Sequence, residues 1–361
     1  MTSAAATETA LQIIEKERTL ESGAFTPLQM EQVVLPALAN DKIRNTQAPA
    51  GSTYFTRQIA ILPDCAIVGH VGALTRRSDG ALLGSGPGRP PNWNYAKPKR
   101  LKPRHLGANL VTSLLGTQQY YHFFEKLLPL LSYLDRHHNP GSPLTVLVSA
   151  KTPAFQQSIC KAVEAAYPGV TFVSLETDEC GEIERYLWIH DQADNVEWLP
   201  VTAKAAGRLS ALLRAHYGQS KPEGRDLLFF SRGNAPLRRL TNENAIEAIA
   251  AQRGFKRFEA VGSNHAEQVS RFANADVIVA VHGAGLTNLL FARAGTIVIE
   301  IFPEDFVKTT YLWLSNRLNL RHVPLVGSRG NYDQAFHLDP SLFAAKLDEA
   351  LSIRQDAPTA A

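Results

Sequence analysis

This sequence has few cysteines and no large excess of positive or negative charge. Its 361 residues include three cysteines, Cys65, Cys160 and Cys180, which are far apart and odd in number, so a disulfide framework and a CxxC pair are excluded. We therefore expect a reducing compartment. The formal net charge is only +3, too balanced for the basic stripe of a dedicated nucleic-acid binder, and we expect no nucleic-acid partner.

Long hydrophobic runs are missing as well. No stretch approaches the roughly 18 apolar residues that a membrane-spanning helix needs, and the first residues lack the positive region and apolar segment of a secretory signal. No Asn-x-Ser/Thr sequon occurs. The sequence therefore predicts a cytoplasmic protein without a transmembrane segment, and a peripheral contact at the inner face of the membrane stays open.

Three ligand-binding signatures are also absent. No Gly-Lys-Ser/Thr follows a glycine-rich loop, which excludes a Walker A site. No GxGxxG opens a strand-helix unit, which disfavours a nucleotide-dependent oxidoreductase. No Asp-x-Asp is present to hold a metal beneath a diphosphate, so neither a metal nor another cofactor is expected.

Apolar strands alternating with amphipathic helices are present in both halves of the chain. Such alternation predicts α/β domains with parallel sheets covered on both faces, and two halves of this kind suggest two doubly wound, Rossmann-like domains facing a cleft. A Ser-Asp-Gly turn within residues 66–83 predicts a β-hairpin. The predicted divisions are an N-terminal helix or tail over 1–24, a first α/β domain over 25–220, a second over 221–330, and a C-terminal helix and tail over 331–361.

A glycine-rich loop follows one predicted strand of the second half. The loop consists of His282, Gly283, Ala284 and Gly285, between the carboxyl end of that strand and the next helix. The first residues of this helix are Leu286, Thr287 and Asn288. Ligands of open α/β sheets bind at such ends, and a helix N-terminus favours an anion. By composition alone, a turn that uses glycine only for its conformation is an equally good interpretation.

An arginine-rich loop, SRGNAPLRRLTNE over 231–243, follows another strand of the same predicted sheet. It carries Arg232, Arg238 and Arg239, whose planar guanidinium groups suit a pyrophosphate. Solvated arginines are the usual finding for one such loop. Two anion-friendly loops at one sheet edge make a phosphate site the better interpretation.

In the first half, the segment GTQQYYHFFEKLLP over 116–129 predicts a helix on which His122 and Glu125 share a face. Such a pair could supply a general base. The alternative is a core histidine together with a glutamate that interacts with the helix dipole.

Taken in order and spacing, YYHFFEKLLP, SRGNAPLRRLTNE and HGAGLTNLLFARAGTIVIEIFP resemble the proteins of glycosyltransferase family 61, many of which are labelled capsular polysaccharide biosynthesis proteins in bacteria. The resemblance covers residues 62–303, and HGAGLTN is its most specific part. It implies a two-domain GT-B architecture. It also implies inverting, metal-independent transfer of a sugar from a nucleotide-sugar donor to a glycan or glycolipid acceptor.

The resemblance also implies roles for individual residues. His122 or Glu125 would act as the base or orient the acceptor, and Arg232 and Arg239, with Arg238 beside them, would hold the diphosphate. The loop from Gly283 to Asn288 would supply N–H groups and His282 a further donor. Glu300, at the end of the next strand, would accept hydrogen bonds from ribose hydroxyls, although a salt bridge explains it equally well.

Two alternatives and one segment stay open at this point. The chain could bind a nucleotide sugar without transferring it, or, less in keeping with its motifs, act as an oxidoreductase. The basic loop 97–105 has no counterpart that we can match to the family. It could follow an anionic glycan or a membrane-surface acceptor, but a solvated run of charges is the better interpretation.

Overall fold

The computed structural model describes residues 12–19, 55–69, 72–80, 82–84, 101–193, 203–222, 226–233, 235–260, 264–308 and 310–355. Contacts divide these residues into two compact units, the first ending at Ala193 and the second beginning at Ala203. The sequence analysis draws this boundary after residue 220, so the structure differs by one helix, Ala203–His216. That helix belongs to the second unit because its apolar face, including Leu209 and Leu213, is buried there.

The first unit is built on a mixed sheet of nine described strands, with the order β4-β3-β2-β9-β6-β7-β8, β1 on β2 and β5 on β9. Two helices complete the described part of this unit. The strands β6, β7 and β8 are parallel, whereas β1 to β4 form antiparallel pairs. The bounds are β1 Gln12–Thr19, β2 Phe55–Val68, β3 Ala73–Arg76, β4 Leu82–Gly84, β5 Lys102–His105, β6 Leu110–Ser113, α1 Tyr120–His137, β7 Leu144–Ser149, α2 Ala154–Ala166, β8 Val170–Leu175 and β9 Glu179–Ala193.

This sheet departs from the predicted doubly wound domain. Parallel pairing joins β6, β7 and β8 and also joins β5 and β6 to β9, while the helices α1 and α2 lie in the connections between β6, β7 and β8. The hairpin predicted around Ser78-Asp79-Gly80 is confirmed, since β3 and β4 pair on either side of it. Where the sequence analysis expects a helix or tail over 1–24, the structure has the strand β1, because the long strand β2 supplies backbone partners that local periodicity does not reveal.

The second unit contains a five-stranded, fully parallel sheet with the order β11-β10-β12-β13-β14. Its strands are nearly all apolar because both faces are buried, as the sequence analysis predicts. Val277, Val279, Ile299 and Ile301 belong to its core. The bounds are α3 Ala203–His216, β10 Asp226–Phe230, α4 Glu243–Gln252, β11 Lys256–Phe258, α5 His265–Asn274, β12 Ala275–Val281, a 3-10 helix Ala284–Phe291, β13 Ile297–Phe302, α6 Thr310–Arg317, β14 Arg321–Val326 and α7 Pro340–Gln355.

The C-terminal segment is part of this second unit. Residues predicted as a C-terminal helix form α7, whose Phe343 and Leu347 are fully buried in the core of the sheet. Within the described ranges, no helix combines the length and apolarity needed to cross a membrane.

Candidate functional site

The strand order of the second unit reverses direction between β10 and β12. From β10 the chain moves outward to β11, and it then returns to the other side of β10 to form β12. In open α/β sheets, ligands bind beyond the carboxyl ends of the strands at such a switch point. Arg232 follows β10 and His282 follows β12, so the structure confirms that the two predicted loops meet at one sheet edge.

Gly283 and Gly285 allow close approach rather than a special turn. The φ angle of Gly283 is 166°, an extended conformation that any residue adopts. A methyl group at Gly283 would, however, lie 1.8 Å from Nη1 of Arg232, and one at Gly285 would lie 2.5 Å from Cε1 of Phe230. The glycines therefore let the Arg232 guanidinium and the Phe230 ring lie directly against the loop.

Arg232 and Arg238 form a pair of half-buried cations. Burial, followed by the charge of Arg238, lowers the pKa of Arg232 to about 10, and burial also lowers the pKa of Arg238. Nε of each guanidinium is buried without a hydrogen-bond partner. Neither side chain forms an ion pair with any residue that the structure describes. Two mutually repelling guanidinium groups with unused donors are suited to an anion.

A distant segment holds Arg238 in place. Its φ of +58° lies in the left-handed region, which is strained for a residue other than glycine. The backbone N–H of Arg238 donates to the carbonyl of Asp333 at 3.0 Å, and Nη1 donates to Oε1 of Gln334 at 3.4 Å. The guanidinium also lies 4.6 Å from the ring centroid of Phe306.

Arg239 does not share this environment. Its side chain is exposed, and its carbonyl accepts from the N–H of Phe336 at 3.0 Å. The sequence analysis pairs Arg232 with Arg239 at the diphosphate, whereas the structure pairs Arg232 with Arg238. The left-handed conformation of Arg238 changes the direction of successive side chains, which the sequence does not reveal.

His282 is held by a carboxylate and by aromatic rings. Its Nδ1 lies 2.6 Å from Oε1 of Glu300, and only 9% of its side chain is exposed. Its ring centroid lies 5.2 Å from that of Phe302, 5.7 Å from that of Phe306 and 5.5 Å from that of Tyr311. Phe306 therefore contacts both His282 and Arg238, which joins the histidine to the arginine pair.

Glu300 has a position that its predicted role does not allow. It is 0% exposed, and Nε2 of His322 lies 3.0 Å from its second oxygen, at an angle too oblique for a hydrogen bond. Burial would raise the pKa of Glu300, but His282 and His322 more than offset it and the pKa is lowered. A carboxylate enclosed in this way cannot accept hydrogen bonds from ribose hydroxyls, so we correct that expectation and assign Glu300 to the support of His282.

The remaining predicted residues, Leu286, Thr287 and Asn288, are fully buried. Thr287 Oγ1 lies 3.2 Å from the hydroxyl of Tyr311, and Asn288 Nδ2 donates to the carbonyl of Gly285 at 2.9 Å. The N–H of Leu286 donates to the carbonyl of Gly283 at 2.9 Å. In the described chain, the loop N–H groups without a carbonyl partner are therefore those of Gly283, Gly285 and Ala284, of which Ala284 is exposed.

In the first unit, His122 and Glu125 share one face of α1, as predicted. Nδ1 of His122 lies 2.9 Å from Oε2 of Glu125, and the side chains are 36% and 27% exposed. Beside them, Nζ of Lys126 donates to the carbonyl of Leu115 at 2.9 Å. Burial lowers the pKa of Lys126 to about 8 against the opposing effect of the Glu125 charge.

A cavity of about 260 Å³ lies elsewhere in the first unit. Its walls include Leu110 and Leu144, the first residues of β6 and β7, together with Tyr133 and Arg185. It is therefore at the amino ends of these strands and does not include His122 or Glu125.

Comparisons with known proteins point to one family. The sequence model of the Glycosyltransferase 61 family matches residues 120–299, close to half of the chain. The comparisons support a family 61 glycosyltransferase. Beta-1,2-xylosyltransferase XAX1 of rice, Oryza sativa subsp. japonica, is 35% identical over 102 residues, which are 27% of this chain and 18% of that protein. The matched part thus spans less than a fifth of that relative.

A solved structure shows a weaker likeness to this chain. The E. coli heptosyltransferase WaaC with ADP has a TM-score of 0.35 and 11% identity, covering 68% of this chain and 99% of that chain. This score is too low to bear on the fold. The assignment to family 61 therefore depends on the match of residues 120–299 and on the rice relative.

Sequence reasoning missed three residues of this candidate site, Phe306, Tyr311 and His322. Phe306 and Tyr311 come after the matched region, and no motif marks them. His322 is placed by register, because Val298 of β13 pairs with His322 of β14 and puts the histidine diagonally opposite Glu300. The alternation of β14 carries this signal, but only once the order of the strands is known.

The basic segment of the first unit is partly paired with acidic residues. Residues 97–100 lie outside the described residues, and Lys102–His105 form β5 rather than a loop. Lys102 lies 2.8 Å from Asp178, Arg104 lies 3.3 Å from Glu179 and His105 lies 2.6 Å from Glu182. These partners reduce the positive charge that the segment offers to an anionic acceptor.

The sequence analysis expects no metal ion. Among the residues that the structure describes, no three His, Cys, Asp or Glu side chains are placed to hold one. Independence from metal stays a prediction.

Proposed function

We propose that this protein is an inverting glycosyltransferase that moves a sugar from a nucleotide-sugar donor to a hydroxyl of a glycan or glycolipid acceptor without a metal cofactor. The observation that carries the proposal is the arginine pair at the switch point of the second unit. Arg232 and Arg238 have unused buried donors and no internal carboxylate partner among the described residues. A nucleoside diphosphate supplies the missing negative charge.

The same site suits the chemistry of the leaving group. In an inverting transfer, the acceptor oxygen attacks the anomeric carbon while the bond from that carbon to the diphosphate oxygen breaks. The negative charge that develops on the diphosphate needs preorganised donors. The guanidinium groups of Arg232 and Arg238 and the N–H groups of Ala284 and Gly285 could provide them.

The acceptor proton needs a base, and we propose His122 with Glu125 as its partner. If Nδ1–H of His122 donates to the Glu125 carboxylate, Nε2 is left as the basic nitrogen. The proton of the acceptor hydroxyl would then move to Nε2. The two-domain GT-B arrangement, the role in surface or capsular polysaccharide synthesis, and a cytoplasmic location with peripheral membrane contact belong to the same proposal.

A panel of nucleotide sugars tests the proposal. The panel covers uridine, guanosine, cytidine and deoxythymidine carriers and includes nucleotide-activated xylose because the rice relative is named a xylosyltransferase. Thermal shift reports binding, and nucleotide release with an acceptor mixture reports transfer. Binding without release in every acceptor mixture would instead support a nucleotide-sugar binding protein, and binding of nicotinamide dinucleotides alone would support an oxidoreductase.

Variants of the arginine pair test the site itself. We expect Arg232→Ala and Arg238→Ala each to weaken nucleoside diphosphate binding by about 1.5–3 kcal/mol, or about 10- to 150-fold, because charge-assisted hydrogen bonds are lost. Lysine should restore binding only in part because it lacks the planar fork. Arg321→Ala is the matched control, since the exposed Arg321 begins β14 at the opposite edge of the sheet.

Three results would count against this assignment. Unchanged affinity in both folded arginine variants would remove the diphosphate from the switch point. A loss of nucleoside diphosphate binding in Arg239→Ala but not in Arg238→Ala would support the pairing of Arg232 with Arg239 that the sequence suggests. Activity should also survive excess chelator, and recovery of lost activity on adding Mn²⁺ or Mg²⁺ would refute the metal-free mechanism.

A further inference from the structure

Glu300 sits between two histidines on one face of the second sheet. It lies on the central strand β13, while His282 follows β12 and His322 lies on β14. The register pairs Ala280 with Glu300 on one side and Val298 with His322 on the other, so both histidines are diagonal neighbours of the carboxylate. The three side chains therefore form a row across three adjacent strands.

The row continues into the protein through Ser315. Oγ of Ser315 lies 3.0 Å from Nδ1 of His322, and Ser315 is fully buried. His322 is thus fixed at both ring nitrogens, by Ser315 on one side and by Glu300 at 3.0 Å on the other. The contact between His322 and Glu300 is close but is not a directed hydrogen bond.

The outer end of the row reaches the arginine pair. Glu300 engages Nδ1 of His282, and no residue in the described part of the chain bonds to Nε2. The neighbouring residue, Gly283, lies directly beneath the guanidinium of Arg232, and Phe306 packs against both His282 and Arg238. Nε2 is therefore the imidazole nitrogen available to an anion bound at the arginines.

Charged and titratable groups surround His282 on every element packed against it. A bound diphosphate would add negative charge beside the imidazole, which favours an imidazolium. Tyr311 stays neutral because burial raises its pKa. The groups are Arg232 and Arg238 on the arginine loop, Glu243 on α4, Glu300 on β13, Lys308 after β13, Tyr311 on α6 and His322 on β14.

We infer that Glu300, His322 and Ser315 are positioning residues that hold His282 with Nε2 toward the donor diphosphate, and that His282 takes up one proton when the diphosphate binds. The proton comes from solvent and remains on Nε2, where it adds a third cationic donor to the two arginines. No bond is made or broken in this step. The inference rests on the proposed function, because it names how that same site recognises its donor.

Calorimetry with uridine diphosphate, or with the best nucleoside diphosphate of the panel, tests the inference directly. Titrations of the wild-type protein near pH 7.5, in two buffers with different heats of ionisation, give the number of protons taken up. We expect an uptake between about 0.3 and 1 and an affinity that rises several-fold as pH falls from 8 to 6. His282→Gln should abolish both effects.

Variants of the buried row separate positioning from simple packing. His322→Leu should reduce the proton uptake and flatten the pH profile, whereas His322→Gln, which keeps a nitrogen near the position of Nε2, should restore part of both. Ser315→Ala is the milder variant if His322→Leu does not fold. His337→Gln is the matched control because His337 is exposed, and it should keep the wild-type uptake.

The possible outcomes distinguish this inference from the proposed function. Failure of every nucleoside diphosphate to bind would overturn both. Tight binding with no proton uptake in the wild-type protein would overturn the inference alone and leave the arginine site standing. Proton uptake that survives in His282→Gln, or that is unchanged in a folded His322→Leu, would show that another group takes the proton.

Discussion

Each unit of this protein contains a histidine bonded to a glutamate through Nδ1, and the two pairs differ in almost everything else. His122 and Glu125 are 2.9 Å apart with 36% and 27% of their side chains exposed. His282 and Glu300 are 2.6 Å apart with 9% and 0% exposed. The first pair is set by one turn of a helix, while the second is set by the register of neighbouring strands.

This difference teaches how one chemical pair can serve two purposes. A partly exposed pair contributes little to stability because water competes for both partners, so its members can engage a substrate. A buried pair is fixed, and removing one partner leaves an uncompensated polar group in the core. Under the proposed function, proton transfer from the acceptor therefore belongs to the partly exposed pair and rigid donor recognition to the buried pair.

The largest expected effect is a difference in stability between variants of the two glutamates. We expect Glu300→Ala to lower the free energy of unfolding of the second unit by about 3–5 kcal/mol, because two buried histidines lose their common partner. Glu125→Ala should change stability by less than about 1 kcal/mol because its pair is exposed. Urea unfolding measures both, and equal losses would show that burial does not distinguish the pairs.

The next effect should separate the two histidines by function. We expect His122→Ala to lower turnover by roughly a hundredfold or more, with donor affinity and melting temperature nearly unchanged. His282→Gln should instead weaken donor binding. His137→Gln, at the exposed end of the same helix α1, is the control for His122. Full turnover in the His122 variant would remove that residue from the mechanism and direct attention to Glu125.

The smallest effect should appear as the pH is lowered. The pKa of Glu300 is depressed below its ordinary value of 4.5, so its stabilising effect is fully present above that pH and is lost as pH falls through the folded-state pKa. The stability difference between wild type and Glu300→Gln should therefore shrink below about pH 4.5. Glu125→Gln is the exposed control for this comparison.

A second buried group also titrates in acid. Burial lowers the pKa of His265 to about 4, but His265 is present in wild type and variant alike, so its contribution cancels in the difference. A stability difference that stays constant from pH 7 to pH 3 would mean that Glu300 is not a depressed carboxylate.

Much of the second unit could be predicted from the sequence because its information is local. Apolar strands followed by glycine-rich and arginine-rich segments predict the loops at the sheet edge of the second unit. In the first unit, helical spacing predicts that His122 and Glu125 share a face. The partners of Glu300 could not be found in this way. They depend on which strands become neighbours, and His322 acquires its role only through the register of β13 and β14.

Other features escaped prediction because they depend on distant backbone contacts. The choice of Arg238 over Arg239 follows from one left-handed residue held by Asp333. The strand β1 exists through its pairing with β2. In the sequence, neither segment differs visibly from an ordinary loop or helix.

The contact between the arginine loop and Gln334 also implies an order in which parts of the second unit form. Arg238 and Gln334 are separated by 96 residues in the sequence. Asn242, whose side chain donates to the carbonyl of Leu338, is separated from Leu338 by the same number. During synthesis, the loop that carries the arginines leaves the ribosome long before the segment that fixes it. We expect the strands of the second unit to be present while its anion site is still unformed, so that a nascent chain becomes able to bind an anion there only after the segment around Gln334 has been synthesised.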